Sequence, residues 1–573
     1  MIKTEMKLWS ILALCFLLYL SFIIPKIDTP LTYDELHWVI GAETLIQTGK
    51  AVGCMGESVE AQWSPPLHLK LQAFLFRLIG ISNISSRLIG IVSILFQLVL
   101  FYFFGKTLFE KFNDQWKFLL LSSLIFVTNP AVIQGSLIST NDTTLLPVFL
   151  TLLALVFLKF SKQIDLMGTL VLCVIFAVSL WEKLTTPFVM ILSMSVYYLF
   201  NRNSRGVIRT AMILALGILL FFASWSTYAV LKGLDAFGPI NYAISSFSSQ
   251  RVCRQAGTVL FGFSTTVARF ILWFGLYSLL PVVVVLILRI LNFTRKKICE
   301  PVDFLVIYVI LVGIGYILVG GTPFGFPKYH YPIFSVAAVL SAFAYGNLWK
   351  KVSVKEVVLY FVMGILTFGY FCFFFGDPIY IFNFSLREAV VNDIAGVKDI
   401  LLHLGCRFGA YLLPSIPVFL IISGYRKSYK FTARVLITAI IMMFAANFSL
   451  NLIQRKAVYS TGYCYGEEGT EDLIGYLDRH LGPGEIVLAT EDIVYYLRRR
   501  GKDTPYLPPE IWNNLHTIKK IVDDPSVKFV IYSIGHNSID QFKNVVLKPD
   551  FILDLKGHFV LKEIGTYKVW KRS

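Results

Sequence analysis

Long apolar runs recur along the whole sequence and constrain its fold more than any other feature. A bilayer core about 30 Å thick is crossed by roughly 20 helical residues. Backbone groups in hydrocarbon must hydrogen-bond within their own segment, so we expect α-helices. Only 15% of the residues are charged and the mean hydropathy is +0.67, whereas soluble domains carry roughly 25% charged residues. The sequence therefore predicts an integral membrane protein and excludes a soluble globular one.

The apolar runs define thirteen candidate membrane spans. The first run has a basic start but continues as long apolar sequence without a small-residue cleavage site, so we interpret it as a retained span. The candidate spans lie near residues 8–26, 88–105, 118–134, 143–160, 166–181, 187–200, 210–231, 268–291, 302–320, 332–349, 356–375, 409–424 and 433–453.

Basic residues orient these spans, because lysine and arginine in short loops remain on the cytoplasmic side. Every second loop is basic, whereas residues 129–142 contain no lysine or arginine. We therefore predict a cytoplasmic N-terminus and long extracytoplasmic loops over residues 26–87, 232–267 and 376–408. The net charge of +16 is largely accounted for by the inner loops, so no nucleic-acid partner is implied.

Hydropathy falls after residue 454, where a soluble pattern begins. Residues 469–490 predict a helix, a Gly-Pro-Gly turn and a strand, and residues 528–533 and 558–570 predict further strands. The predicted fold is thus mainly α: a polytopic helical bundle of about thirteen spans over residues 1–454. A small α/β domain over residues 455–573 follows it on the outer face.

Two adjacent acids, Asp34 and Glu35, follow the first span within LTYDELHWVIGAETLIQTGK, residues 31–50. Neighbouring residues on a helix point about 100° apart, so both carboxylates cannot face one small substrate in the same way. We expect one to reach into a cavity while the other fixes the loop. The alternative is a pair of ordinary acids at a helix start, stabilised by the helix dipole.

Three further segments place polar residues at the predicted outer ends of spans. AQWSPPLHLKLQAFLFRLIG, residues 61–80, has a rigid Pro-Pro pair before an amphipathic stretch. Asp142 lies at the mouth of the fourth span, and GGTPFGFPKYHYPIF, residues 320–334, precedes the tenth. Each also has a structural interpretation: an interfacial helix, a helix cap, and an aromatic belt with a snorkelling lysine.

The order of these motifs resembles that of the GT-C glycosyltransferases. The closest likeness is to glycosyltransferase family 39, which includes protein O-mannosyltransferases and the aminoarabinose transferases of lipid A. The acidic pair, Pro-Pro-Leu, ISNISSRLIGIVSILF, Asp142 and PKYHYPIF occur in the family's order within roughly residues 1–350. The resemblance implies a GT-C bundle whose outer face transfers a sugar from a polyprenyl phosphate carrier to an acceptor.

The resemblance also implies roles for individual residues. Asp34 corresponds to the catalytic carboxylate with Glu35 supporting it, and Asp142 corresponds to a second outer-loop acid near the sugar. Lys328 and Tyr329 occupy positions that approach the lipid phosphate in the family.

One position departs from the family. The residue before Pro-Pro is Ser64, where the family often has lysine or histidine, so no phosphate contact is transferred there. Transfer requires a base near the acceptor hydroxyl and cations that hold the departing phosphate. The candidate catalytic residues are Asp34, Glu35 and Asp142; the candidate lipid-phosphate ligands are Lys328, Tyr329, Lys183, Arg251 and Arg254; the candidate cavity residues are His37, Pro65, Pro66, His330 and Tyr331.

No cofactor is predicted as a requirement. The eight cysteines lack metal-ligand spacing and the first outer loop has no Asp-x-Asp triplet; a divalent metal stays open because some GT-C relatives use one. The expected partners are a polyprenyl-phosphate-linked sugar, membrane lipids, and an acceptor that is a protein, lipid or glycan. The alternatives are a transporter or flippase of a lipid-linked solute and a non-catalytic membrane receptor. Polar groups gathered on one face, without internal repeats, favour the transferase.

Overall fold

The structure is a computed structural model that describes most of the N-terminal half of the chain and parts of the remainder. The residues it describes are 2–31, 33–53, 58–62, 66–161, 165–241, 244, 299–318, 330–346, 354–375, 441, 444–445, 447–449, 451–452, 469–489, 491–502, 504, 515–533, 559–565 and 567–572. The predicted spans 268–291 and 409–424, and the predicted outer loop 376–408, lie outside these residues.

The described chain is mainly helical, as expected from its apolar runs. A short 3₁₀ turn, Ile24–Lys26, follows the first helix. The helices of the N-terminal region are α1 (Ile2–Ile23), α2 (Tyr33–Thr48), α3 (Val59–Gln62), α4 (Leu67–Ile79), α5 (Asn83–Leu108), α6 (Phe112–Val127), α7 (Pro130–Ser136), α8 (Leu145–Phe160), α9 (Leu166–Leu180), α10 (Thr186–Phe200), α11 (Ser204–Lys232), α12 (Asp303–Leu318), α13 (Ile333–Gly346) and α14 (Val354–Phe375).

Several of these helices have the length and composition of membrane spans. Among the described residues, Glu5–Lys26, Asn83–Leu108 and Ser204–Lys232 are long and apolar enough to cross a bilayer alone. The shorter apolar helices are Leu145–Phe160, Leu166–Leu180, Thr186–Phe200, Asp303–Gly315 and Ile333–Phe343. The protein is thus an integral membrane protein, while the number of thirteen spans stays a prediction.

The third span differs from the sequence prediction. A continuous helix was expected over residues 118–134, but α6 ends at Val127 and α7 starts again at Pro130 with a bend of 69°. Pro130 has no amide hydrogen for a continuing helix. The Asn129 side chain instead caps α7 by accepting a hydrogen bond from the Ala131 amide at 2.9 Å. Helix α7 consequently departs from the direction of α6.

Two glycines allow the bundle to close around α7. A Cβ atom on Gly90 of α5 would lie 2.0 Å from the Ser136 carbonyl oxygen, so only glycine permits this approach. A Cβ atom on Gly135 would lie 2.0 Å from the ring of Tyr331, which precedes α13. Helix α1 packs against α6, α5 against α8, and α9 against α11, which builds one continuous apolar core.

The C-terminal region contains a mixed four-stranded sheet. Its strands β1 (Ile486–Leu488), β2 (Val527–Ser533), β3 (Phe559–Ile564) and β4 (Tyr567–Arg572) have the spatial order β1-β2-β4-β3. Strands β1 and β2 are parallel, and the other two pairs are antiparallel. The helices are α15 (Thr470–His480), α16 (Glu491–Arg499) and α17 (Leu515–Asp523). The helix, turn and strand predicted within residues 469–490 are present, whereas the domain boundary at 455 and its outer location stay predictions.

Candidate functional site

Side-chain contacts gather three predicted outer segments at one end of the bundle. Glu35 of α2 accepts a hydrogen bond from the Ser139 amide at 3.1 Å, which joins the first segment to the turn after α7. Asp142 from that turn pairs with Lys183 between α9 and α10. The opposite end of the bundle carries the basic loops, where Glu5 pairs with Lys106 at 2.8 Å.

The acidic pair lies at the start of α2, as its spacing predicted. Asp34 is in the first turn of the helix, and the structure describes its backbone but not its side chain. Glu35 is 0% exposed, and its Oε2 lies 3.7 Å from an Arg87 guanidinium nitrogen. Through the ion pair with Arg87 and the hydrogen bond from Ser139, Glu35 links α2 to α5 and to the turn after α7.

Arg87 is the main fixed point of the first outer segment. It is 1% exposed, and a buried charge is costly unless it is paired and hydrogen-bonded. Besides Glu35, its guanidinium donates to the carbonyl oxygens of Ile27 (2.7 Å), Thr29 (2.7 Å), Pro30 (3.3 Å) and Leu137 (2.9 Å) and to the Thr29 hydroxyl (2.9 Å). These contacts shape the turn that leads from α1 into α2.

Arg87 was not among the residues predicted from sequence. One feature of the sequence could have identified it. Arg87 directly precedes an apolar run, on the predicted side of the membrane that is poor in basic residues. A cation in that position requires several acceptors around it, and its partner Glu35 is separated from it by two helices along the chain.

Asp142 and Lys183 form an ion pair within the candidate site. Asp142 is 6% exposed and Lys183 is partly exposed. The neighbouring Asn141 side chain donates to the Glu182 carbonyl oxygen at 2.6 Å, so two contacts tie the turn after α7 to the α9–α10 turn. The acid predicted to lie near the sugar and a cation predicted to lie near the phosphate therefore contact each other.

Glu182 is a second buried acid at this junction, which the sequence interpretation missed. Its side chain is 0% exposed, and neither carboxyl oxygen has a hydrogen-bond partner among the described residues. Burial raises the pKa of this carboxyl well above its usual value, and the negative charge of Asp142 adds to the effect. Burial beside the negative charge of Asp142 therefore favours the protonated form of Glu182.

Helix α4 confirms the amphipathic helix predicted after the Pro-Pro pair, and its buried face contacts the turn after α7. His68 Nδ1 lies 3.0 Å from the Thr144 hydroxyl, and Gln72 accepts from the Ser139 hydroxyl at 2.7 Å. Burial lowers the pKa of His68 to about 3, so its imidazole is neutral. Pro66 is the buried N-cap of α4.

A cluster of aromatic and charged side chains borders the same end of the bundle. The Lys70 ammonium lies 3.6 Å from the ring centroid of Tyr228, whose hydroxyl donates to Glu60 at 2.7 Å. Trp181 packs edge-on against Tyr228 with 5.8 Å between ring centroids. This cluster joins α3, α4 and α11 to the α9–α10 turn.

The remaining predicted residues have separate locations. His37 is buried on α2, and His330 is buried before α13, where burial lowers its pKa to about 3. Tyr331 is buried and donates to the Val132 carbonyl oxygen at 3.0 Å, which fixes α7 to the start of α13. The predicted residues outside the described part of the chain are Pro65, Arg251, Arg254, Lys328 and Tyr329.

Metal-ligating side chains do not cluster in the described part of the chain. No group of three or more histidine, cysteine, aspartate or glutamate side chains is arranged there to hold an ion. Two acids at this end, Glu35 and Asp142, instead pair with Arg87 and Lys183, respectively.

Solved structures of ArnT from Cupriavidus metallidurans share this fold along nearly the whole chain. The structure bound to undecaprenyl phosphate matches with a TM-score of 0.56 and 14% identity, covering 98% of this chain and 97% of ArnT. The apo structure matches with a TM-score of 0.53 and 12% identity over the same shares. Because ArnT is a GT-C glycosyltransferase, the GT-C fold expected from the sequence is confirmed. No protein-family model and no curated protein matches the sequence.

Proposed function

We propose that this GT-C chain is a membrane glycosyltransferase that moves a hexose or pentose from a polyprenyl-phosphate carrier to an acceptor at the extracytoplasmic face. The observation that carries the proposal is the bonding of the first outer segment, with its acidic pair, to the segment that bears Asp142. ArnT, which has the same fold, is a protein that was crystallised with undecaprenyl phosphate. The proposed acceptor is a protein, lipid or glycan hydroxyl or amine.

Asp34 is the proposed catalytic base. Its neighbour Glu35 is held by Arg87 and the Ser139 amide, which supports a role for Glu35 in fixing the loop that carries the base. Attack at the anomeric carbon forms the bond from the acceptor to the sugar, breaks the bond from the sugar to phosphate, and releases a proton to the base. A positioned base contributes roughly 10² to 10⁴ in rate.

The donor is proposed to contact both acids and cations. Asp142, oriented by Lys183, is suited to accept hydrogen bonds from sugar hydroxyls. The departing lipid phosphate develops negative charge, which cations stabilise. We assign that role to Lys328 with Tyr329, and to Arg251 and Arg254. The imidazoles of His68 and His330 are poorly suited to supply this charge, because burial lowers the pKa of each to about 3.

The proposed orientation follows from the same assignment. The end of the bundle with the acids faces the extracytoplasmic side, the N-terminus lies in the cytoplasm, and the C-terminal sheet lies outside. Positive charge at the opposite end supports this orientation.

The test is sugar transfer in membranes supplied with a panel of polyprenyl-phosphate sugars, with products identified by mass spectrometry. Asp34→Asn is expected to abolish transfer, whereas the matched control Asp28→Asn, an exposed acid in the same segment, retains it. Undiminished transfer by Asp34→Asn contradicts the assignment of the base. Movement of the lipid across the bilayer without transfer identifies a flippase, and binding without either identifies a receptor.

A further inference from the structure

The C-terminal helix α16 docks on the segment that leads to the candidate base. The Leu31 amide donates to the Tyr496 hydroxyl at 2.5 Å, and this hydroxyl donates to Asn83 Oδ1 at 2.9 Å. Burial raises the pKa of Tyr496, so its hydroxyl remains a neutral donor and acceptor. One phenol therefore joins Leu31, two residues before the start of α2, to Asn83, the first residue of α5.

Further contacts surround this hydrogen-bonded pair. Arg499 donates to the Ile81 carbonyl oxygen at 2.7 Å, and the Tyr495 hydroxyl lies 3.4 Å from a Glu43 carboxylate oxygen. The Tyr495 ring belongs to an apolar cluster that also contains Leu31, Leu36, Val39, Ile40, Ala42, Ala73 and Phe76. The interface between α16 and the first outer segment thus combines an apolar core with hydrogen bonds, as stable protein interfaces do.

Leu31 lies between the backbone that Arg87 binds and the start of α2. Arg87 holds the carbonyl oxygens of residues 27, 29 and 30, and α2 begins at Tyr33. Leu31 is 1% exposed, and a buried amide requires a partner. Tyr496 supplies that partner from a distant part of the chain. The position of the first turn of α2 therefore depends on the C-terminal region.

We propose that Tyr496 is a positioning residue for sugar transfer, which holds the first turn of α2 and with it Asp34 in the reactive arrangement. This role rests on the proposed function, because transfer is its kinetic readout. A displacement of about 1 Å at a reacting group can reduce the rate about 10²-fold. Loss of one hydrogen bond in a retained interface should produce a smaller effect, on the order of tenfold.

The test compares Tyr496→Phe with Tyr495→Phe in the full-length protein reconstituted in nanodiscs. Both variants lose one hydroxyl on the same helix and keep the aromatic ring. Tyr496→Phe is expected to lower kcat about tenfold and to leave the KM for the polyprenyl-phosphate donor unchanged, because the lost contact orients the base and not the lipid. Tyr495→Phe is expected to retain the kcat. Hydrogen exchange of a peptide spanning residues 27–36 should accelerate only in Tyr496→Phe.

Any of the following results overturns the positioning role of Tyr496. Wild-type kcat and exchange in Tyr496→Phe show that the contact positions nothing, while the proposed function stands if Asp34→Asn remains inactive. A joint loss of kcat, donor affinity and thermal stability indicates a general structural contact. Absence of transfer by the wild-type protein with every donor overturns the proposed function, and with it the positioning role, whatever the exchange rates.

Discussion

Arg87 and Glu35 form an ion pair within the first outer segment, with 3.7 Å between the guanidinium nitrogen and Oε2 and neither side chain more than 1% exposed. The pair belongs to a larger set of contacts, because the same guanidinium also donates hydrogen bonds to backbone carbonyl oxygens before α2 and in the turn after α7. A buried charge of this kind is replaceable only by a group that reproduces both its charge and its several donors.

Replacement of Arg87 by lysine tests this requirement. Lysine keeps the charge but lacks the planar set of donors that reaches several carbonyl oxygens at once. Arg87→Lys is expected to lower the free energy of unfolding by about 3 kcal/mol or more, since buried acceptors lose their partners. Thermal unfolding in detergent measures the loss. Arg77→Lys, at an exposed position on α4, is the control and should unfold like the wild-type protein; equal melting temperatures for both variants would contradict the expectation.

Replacement of Gly90 by alanine tests the close approach of α5 and α7. The added Cβ would meet the Ser136 carbonyl oxygen at 2.0 Å, and backbone atoms cannot rotate away as a side chain can. We expect a loss of stability of about 1 to 3 kcal/mol or more, together with reduced transfer, because the α7 turn carries Asp142. Gly315→Ala provides the comparison, since among the described residues no atom outside its own helix backbone and chain neighbours lies within 4 Å of the added Cβ. A melting temperature for Gly90→Ala as high as that of Gly315→Ala would show that the helices can separate without cost.

The contact between Asp142 and Lys183 predicts coupled effects on transfer. Asp142→Asn and Lys183→Met should each lower kcat/KM, because each removes one charge of this ion pair. The double variant should lose less than the sum of the two, with a coupling energy of about 0.5 to 3 kcal/mol. Steady-state transfer with all four proteins measures this cycle. Strictly additive losses would mean that the two side chains act independently.

Glu182 predicts a dependence of stability on pH. The unfolded chain releases this proton near the usual pKa of 4.5, whereas the folded protein retains it because the folded pKa is raised. The folded state then binds more protons, so stability falls as pH rises above 4.5 toward the folded pKa, by up to about 1.4 kcal/mol per pH unit. Below pH 4.5 both states are protonated and the effect vanishes.

The comparison of Glu182→Gln with the wild-type protein measures this effect, because glutamine imitates the protonated acid. The melting temperature of Glu182→Gln should exceed that of the wild-type protein increasingly from pH 5 to pH 8. Glu110→Gln, an exposed position in the loop before α6, should show no such trend. A constant difference between Glu182→Gln and wild type across this range would indicate that Glu182 is ionised in the folded protein.

The amino-acid sequence by itself determined the membrane class and most of the helices that the structure describes, and the order of its motifs resembled that of chains with the GT-C fold. A membrane helix is marked by the hydropathy and flanking charges of its own residues, which can be read locally. The ends of Leu145–Phe160 and Leu166–Leu180 were therefore predicted to within two residues. The sequence Asn129-Pro130 also indicates a helix break, although the predicted span 118–134 was continuous there.

Only the tertiary structure decided which polar residues meet. Two helices, α3 and α4, lie between Glu35 and Arg87 along the chain, and Leu31 lies 465 positions from the tyrosine that binds its amide. Local patterns identify acids and cations but not the partner each one reaches, because that depends on how helices pack. The same packing buries Glu182 beside Asp142 while its neighbour Lys183 pairs with that acid. Buried polar groups require partners, and the folded arrangement of distant segments supplies them.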